Sequence, residues 1–160
     1  MKKHKEIKIE STLDEMFLVE QFVEEISEEF LLFGNYFGNI LMAVTEAVKN
    51  AIIHGNGQDR KKLVRISLEN TKEGLWIRVI DEGGGFDHKK YTEQPNAEIT
   101  FGTEKNGIVL IQALADEVKF QNNGCQIEML FKINGIEDSI FERRVAFMHD
   151  FFRVYQRLNS

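Results

Sequence analysis

Leu41 to Asn56 reads LMAVTEAVKNAIIHGN. Leu41, Val44, Val48, Ala51 and Ile52 recur at steps of three and four, the spacing of an apolar helix face laid on a core. Glu46 and Asn50 lie four residues apart and project from one flank of that helix, while the small Ala43 and Ala47 leave the flank open to a ligand. A carboxylate one turn from a carboxamide, beside little bulk, can set a proton acceptor next to an oxygen ligand for a hard cation. A solvated polar pair has the same spacing, so the helix alone leaves both readings open. His54 and Gly55 close the helix, and Gly55, Asn56 and Gly57 follow as a loop that tolerates positive backbone dihedrals.

Downstream, Leu63, Ile66 and Leu68 lead through a turn at Lys72 to Gly74 into Leu75, Ile77 and Val79, which alternate with Trp76 and Arg78. This is a hairpin, and its second strand delivers DEGGGFD, Asp81 to Asp87. Three successive glycines suit a chain that turns tightly and lets something approach its backbone rather than one that packs. An aspartate at the strand end before such a turn is placed to accept a hydrogen bond from an exocyclic amine such as that of adenine. A glycine-rich hairpin tip would also account for the stretch. From His88 to Phe101 the chain is polar and irregular and holds the one proline, Pro95, which reads as a lid.

FGTEKNGIVLIQALADEV follows. Gly102 and Gly107 resemble half of a phosphate-binding P-loop, but Ile108 and Val109 stand where Lys and Ser or Thr belong, so that reading fails. A loop feeding a helix at about Asn106 fits better, with Ile108, Ile111, Leu114 and Ala115 toward the core. Its free first amides could receive phosphate oxygens, and Lys105 adds a cation. An ordinary loop before a core helix is the plainer alternative. Strands at Val118 to Gln121 and Cys125 to Ile133, joined by a turn at Asn122 to Gly124, come next, with Cys125 expected as a buried strand residue.

Upstream, Ile7 and Ile9 alternate with Glu6 and Lys8 in a charged edge strand. Thr12 and Glu15 form a capping-box pattern that opens a helix with Met16, Val19, Phe22, Val23, Ile26 and Phe30 on one face. Phe33 to Asn35 make a turn in which Asn35 caps the next helix. At the other end, Ser139 and Glu142 open a helix carrying Phe141, Val145, Met148, Phe152, Tyr155 and Leu158, with Phe147 and Phe151 widening its apolar face. It reads as core or dimer seam.

The whole chain, 160 residues and 42% hydrophobic, can bury one sizeable core. Its net charge of -6 argues against a nonspecific grip on nucleic acid and is compatible with a basic protein partner. Cys125 is the single cysteine, which rules out an intramolecular disulfide and fits a reducing cytoplasm. Neither a signal-peptide core at the N-terminus nor an apolar run long enough for a membrane is present, so a soluble intracellular chain is expected.

The order of these motifs resembles the ATPase domain shared by gyrase, heat-shock chaperones, histidine kinases and mismatch-repair proteins, the Bergerat or GHKL fold. TEAVKNAIIHG looks like its N box, DEGGGFD its first glycine box and GTEKNGIVLIQALADEV its second. Within that superfamily the chain is most similar to the anti-sigma-factor serine kinases. The resemblance implies an α+β two-layer sandwich over residues 1–133, with a mixed, mainly antiparallel sheet covered on one face by helices, and a helical extension over 134–160. It implies ATP and Mg2+ as cofactors, with Asn50 holding the metal, Glu46 taking the proton of the attacking hydroxyl and Asp81 binding the adenine amine. Gly83 and Gly85 would let base and sugar approach, Gly107 would offer its amide to the phosphates, and Gly102 and Thr103 would lie in the lid.

The family pattern has G-x-G just before the second-box helix, where Lys105 here takes the place of the first glycine and could reach the terminal phosphate instead. The residues beyond about Asn134 fall outside the pattern, and a helix packed on the sheet or on a second subunit is expected there. The function implied is a serine/threonine kinase that phosphorylates an anti-anti-sigma (STAS-type) protein and sequesters a sigma factor or another regulator, with a homodimer possible and no contact with nucleic acid or membrane. The alternative is a non-catalytic partner-switching or scaffold module with weak or no nucleotide binding. A sensor histidine kinase fragment fits less well, because His4, His54, His88 and His149 supply no phosphoacceptor hairpin.

Overall fold

A computed structural model of the chain describes residues 4–30, 32, 35–85, 87, 104–133 and 138–158. The turn read at Phe33 and Gly34, the lid over 88–101, and Gly102 and Thr103 lie outside the described residues. Five strands form one sheet: β1 (His4–Glu10), β2 (Leu63–Asn70), β3 (Leu75–Ile80), β4 (Glu117–Gln121) and β5 (Gln126–Phe131), in the order β1-β2-β3-β5-β4. Every pairing among them is antiparallel, where a mixed sheet was expected. β3 and β4 do run the same way, since both are antiparallel to β5. β5 inserts between them, so no parallel pair forms.

Register explains which face is dry. Ile7, Ile66, Val79, Ile127 and Phe120 lie in one row across the sheet, and Leu68, Ile77, Met129 and Val118 in the next. Ile66, Leu68, Ile77 and Met129 are fully buried there beneath the helices. The alternate row, Glu6, Ser67, Arg78, Glu128 and Lys119, is polar, and Arg78 bridges Glu128 at 2.9 Å and Glu69 at 3.2 Å. This period-two segregation puts one face on the core and leaves the other to charge pairs.

Three helices cover the dry face. α1 (Met16–Glu29) buries Val19, Phe22, Val23 and Ile26, as its apolar stripe predicts. Its start differs from a capping box. Thr12 caps a 3-10 turn, Leu13–Glu15, by accepting from Asp14 N, while Glu15 accepts from Glu10 N. α2 (Asn35–Asn50) is the middle helix, packed between α1 and α3 (Glu104–Leu114). α2 therefore begins six residues before Leu41, and Asn35 is its first helical residue rather than a residue outside it. Its α-geometry ends at Asn50 and gives way to one π-helical turn, Ala51–Gly55, closed by Asn56 N donating to Ala51 O at 2.8 Å. The wider turn carries Gly55 and Asn56 across to the end of β3.

α4 (Asp138–Leu158) is the expected C-terminal helix, and within the chain it rests on α3 rather than on the sheet. Phe147, Met148 and Phe151 pack against the core from the helical side, and Met148 comes up to Gly38 of α2. Phe152, expected in the buried stripe, is 46% exposed. The packed face is thus turned toward Phe147 and Phe151, because the helix rests on other helices. Asp116, at the α3–β4 junction, holds α4 down: its carboxylate takes Arg144 Nη2 at 2.7 Å and Lys132 N at 2.7 Å. Arg144 is buried, so removing it strands a carboxylate with little solvent. Arg144→Ala should lower unfolding free energy by about 2–3 kcal/mol, toward the low end for a broken buried pair because both groups keep some solvent. Denaturant titration checks this, and a loss under ~0.5 kcal/mol would contradict it.

Candidate active site

Asp81 leaves the sheet where β3 ends. Its N–H donates to Cys125 O at 2.9 Å, continuing the β3–β5 ladder by one residue, and its Oδ1 accepts Gly83 N at 2.8 Å. The carboxylate is buried, and that burial pushes its pKa above the usual carboxylate range, against the pull of Gly83 N–H, the Cys125 thiol and Lys62. Cys125 is a turn residue ahead of β5 and only half-buried, not the buried strand residue expected. Its thiol donates to Gly83 O at 3.2 Å, and burial together with Asp81 raises its pKa, which keeps it unreactive.

The glycines around Asp81 are there for close packing, contrary to the reading of DEGGGFD as open to a ligand. A Cβ at Gly83 would collide with the carbonyl of Gly55, and one at Gly85, where φ is +84°, with the carbonyl of Asn123. Gly84 alone faces open space. Gly55, read as a helix end and loop residue, has its own requirement, since a Cβ there would run into the Asp81 carboxylate. Asn56, read as a loop residue tolerant of positive φ, has a structural role that this reading missed. It is buried and takes a negative φ, while Gly57 and Gln58 take the positive ones. Its carboxamide donates to Ser11 Oγ at 2.7 Å and Leu63 O at 3.1 Å, and accepts Glu82 N at 2.8 Å. One side chain thus ties the end of β1, the start of β2 and the exit of β3 into one frame behind Asp81. The wording HGN at a helix end was the available signal.

Glu46 and Asn50 come together with Gly107. A Cβ at Gly107 would stand 3.1 Å from Asn50 Nδ2 and 3.2 Å from Glu46 Oε2, so glycine lets the first turn of α3 rest on both side chains without displacing them by a few tenths of an ångström. α3 begins at Glu104, not near Asn106, which puts Gly107 within its first turn and Lys105 ahead of it in the same turn. The Lys105 side chain lies outside the description. The helix amides left free for an anion are those that precede Gly107. Of the two small residues on α2, Ala47 lines the cavity, whereas Ala43 is sealed in the core.

A narrow cavity opens beside this contact. Asn50 and Asp81 share it, and Ala47, Ala51, Val79, Ile108 and Ile127 are among its apolar walls. Its lining pairs apolar walls with a carboxylate, the chemistry by which a flat heterocycle with an exocyclic amine is recognised. Asn50 is the link between the two clusters: it lines the cavity together with Asp81 and meets Gly107 beside Glu46. Residues 9–131 match the family described as "Histidine kinase-like ATPase domain". The chain belongs to that family.

Relatives agree. The anti-sigma F factor of Clostridium novyi (strain NT) is 32% identical over 108 residues, covering 62% of this chain and 73% of its own. The anti-sigma F factor of Clostridium acetobutylicum is 32% identical over 109 residues, with the same coverage of both chains. The serine-protein kinase RsbW of Bacillus subtilis (strain 168) is 30% identical over 104 residues, 61% of this chain and 65% of that one. As a histidine kinase-like ATPase domain the chain is of an ATP-binding family, and α4 falls beyond the matched residues. Among the described residues no three His, Cys, Asp or Glu side chains gather into a metal cage. A single carboxamide oxygen, that of Asn50, fits a magnesium ion of the kind that enters with a triphosphate, because Mg2+ keeps waters and takes few protein oxygens. No helix among the described residues is long and apolar enough to cross a membrane.

Proposed function

We propose that this histidine kinase-like ATPase domain is a cytoplasmic protein serine/threonine kinase of the anti-sigma type, which transfers phosphate from ATP to an anti-anti-sigma (STAS-type) protein and alternately holds a sigma factor. The observation that supports the reading is the approach of Glu46 Oε2 and the Asn50 carboxamide to Gly107 at the start of α3, with Asn50 also lining the cavity that holds Asp81. Asp81 accepts the adenine amine. Asn50 Oδ1 would hold the magnesium that accompanies the nucleotide, and that ion would supply positive charge to offset the phosphates. Gly83 and Gly85 hold the Asp81 loop in shape, while Gly102, Thr103, Lys105 and the turn at Gly107 close over the phosphates. Glu46 takes the proton as the acceptor oxygen attacks. Phosphoryl transfer asks mainly for positioning and charge neutralisation, and this division of labour supplies both.

Calorimetric titration tests the nucleotide half of the proposal. ATP with Mg2+ should bind saturably, and GTP at least about a hundredfold more weakly, because guanine turns a carbonyl rather than an amine toward Asp81. EDTA should weaken ATP binding. Absence of saturable binding would favour a partner-switching module without catalysis.

A further inference from the structure

Glu46 stands between Gly107 and a groove on the other side of α2. Its Oε2 faces Gly107, whose neighbour Ile108 lines the cavity shared by Asn50 and Asp81, while its Oε1 pairs with Lys49 Nζ at 3.2 Å. Glu46 and Lys49 also line a separate groove of about 260 Å3 between α1, α2 and α4. Leu41 and Met42 of α2 form its floor with Phe151 and Phe152 of α4 as the opposite wall, and Glu20 of α1 stands at the rim. The groove is mostly apolar, yet it ends on the carboxylate proposed as the base.

A kinase must bring two substrates to one carboxylate from different sides. With the nucleotide on the Oε2 side, the groove offers an acceptor hydroxyl an approach to the same carboxylate from the Oε1 side. α4 does not plug that route. It is held over the helical layer by the Arg144–Asp116 pair and by Phe147 and Met148, and it leaves the Phe152 ring 46% exposed along the groove. A half-exposed aromatic beside an open apolar channel is what an anchoring side chain packs on. Because α4 lies beyond residues 9–131, this wall is an addition to the family's domain.

We infer that α4 builds the acceptor side of the active site: a serine- or threonine-bearing segment of a protein partner docks in the groove between α1, α2 and α4, its apolar neighbour against Phe151 and Phe152 and its hydroxyl directed at Glu46. The inference rests on the kinase reading above. In the step it serves, the hydroxyl proton passes to Glu46, the hydroxyl oxygen bonds to the γ-phosphorus, and the bond from that phosphorus to the bridging oxygen breaks as ADP leaves. Phe152 then acts on acceptor choice and not on the nucleotide.

The test uses the full chain with magnesium, γ-labelled ATP and an array of synthetic peptides, each with one serine or threonine flanked by systematically varied residues. Peptides with Leu or Phe within three positions of the hydroxyl should be preferred about tenfold in kcat/KM, the scale of one buried anchor. Phe152→Asp should erase that preference by raising KM, with ATP affinity within twofold, and Phe152→Leu should retain it. Label transferred without apolar preference, or a preference that survives Phe152→Asp, overturns the groove assignment while the kinase reading stands. No label on any peptide overturns the groove assignment, which needs a short segment to dock, while the kinase reading stands or falls on the nucleotide titration above.

Discussion

Glu46→Gln should leave ATP affinity within about threefold and cut phosphoryl transfer by roughly 10²–10⁴-fold, the usual worth of a positioned general base. The glutamine keeps the shape of the side chain and its packing on Gly107, where Oε2 lies 3.2 Å from the glycine's Cβ position. It cannot accept the acceptor's proton. The substitution also breaks the ion pair with Lys49 at 3.2 Å, but that pair is partly exposed and contributes little to folding. Single-turnover transfer, measured beside nucleotide titration, separates the two effects. Equal transfer by the variant would remove Glu46 from the chemistry.

Asp81→Asn should weaken ATP by about a hundredfold or more and at the same time make the unliganded protein more stable. The loss follows from replacing a charged acceptor by an amide, since a hydrogen bond to a charged group contributes about 1.5–3 kcal/mol and an unpaired amine costs more. The gain has a different origin. Burial raises the Asp81 pKa in the folded chain, so its ionised form is disfavoured there. For a carboxyl whose folded pKa is raised, stability is fully present below the unfolded pKa and is lost as pH rises through the folded one. At neutral pH the ionised Asp81 therefore costs stability, and asparagine, which still accepts from Gly83 N, removes that cost. Thermal unfolding at neutral and at acid pH should show the variant's advantage shrinking as the pH falls. A variant less stable than the parent at neutral pH, or one that binds ATP equally well, contradicts this account of Asp81.

What was legible in the chain had local periodicity behind it. The two apolar rows of the sheet, the stripe of α1 and the turn at Asn122–Gly124 follow from residue spacing, and the last takes positive φ at all three residues. Glu46, Asn50, Gly107 and Asp81 were singled out by motif order; in the fold Gly107 meets Glu46 and Asn50, and Asn50 shares a cavity with Asp81. What escaped depends on pairs of chain segments. The need for glycine at 55, 83 and 85 comes from a carboxylate or a carbonyl contributed by another loop, and nothing in DEGGGFD states which backbone it will meet. Asn56 looks like an ordinary turn residue until Ser11 and Glu82 are placed around it. Phe152 of α4 was misplaced for the same reason: the apolar side of that helix is broad, and Asp116, 28 residues before Arg144, helps select the part that docks.

The central claim is that Glu46, Asn50, Asp81 and Gly107 serve one bound triphosphate. A crystal of the full chain grown with magnesium and a non-hydrolysable ATP analogue tests it most directly. The account predicts the adenine amine at about 3 Å from an Asp81 oxygen, and Asn50 Oδ1 about 2.1 Å from a magnesium ion that also touches the phosphates. Glu46 should stand beside the γ-phosphate on the side of the α1–α2–α4 groove. An analogue bound away from Asp81, or phosphates remote from Asn50 and Glu46, would contradict it.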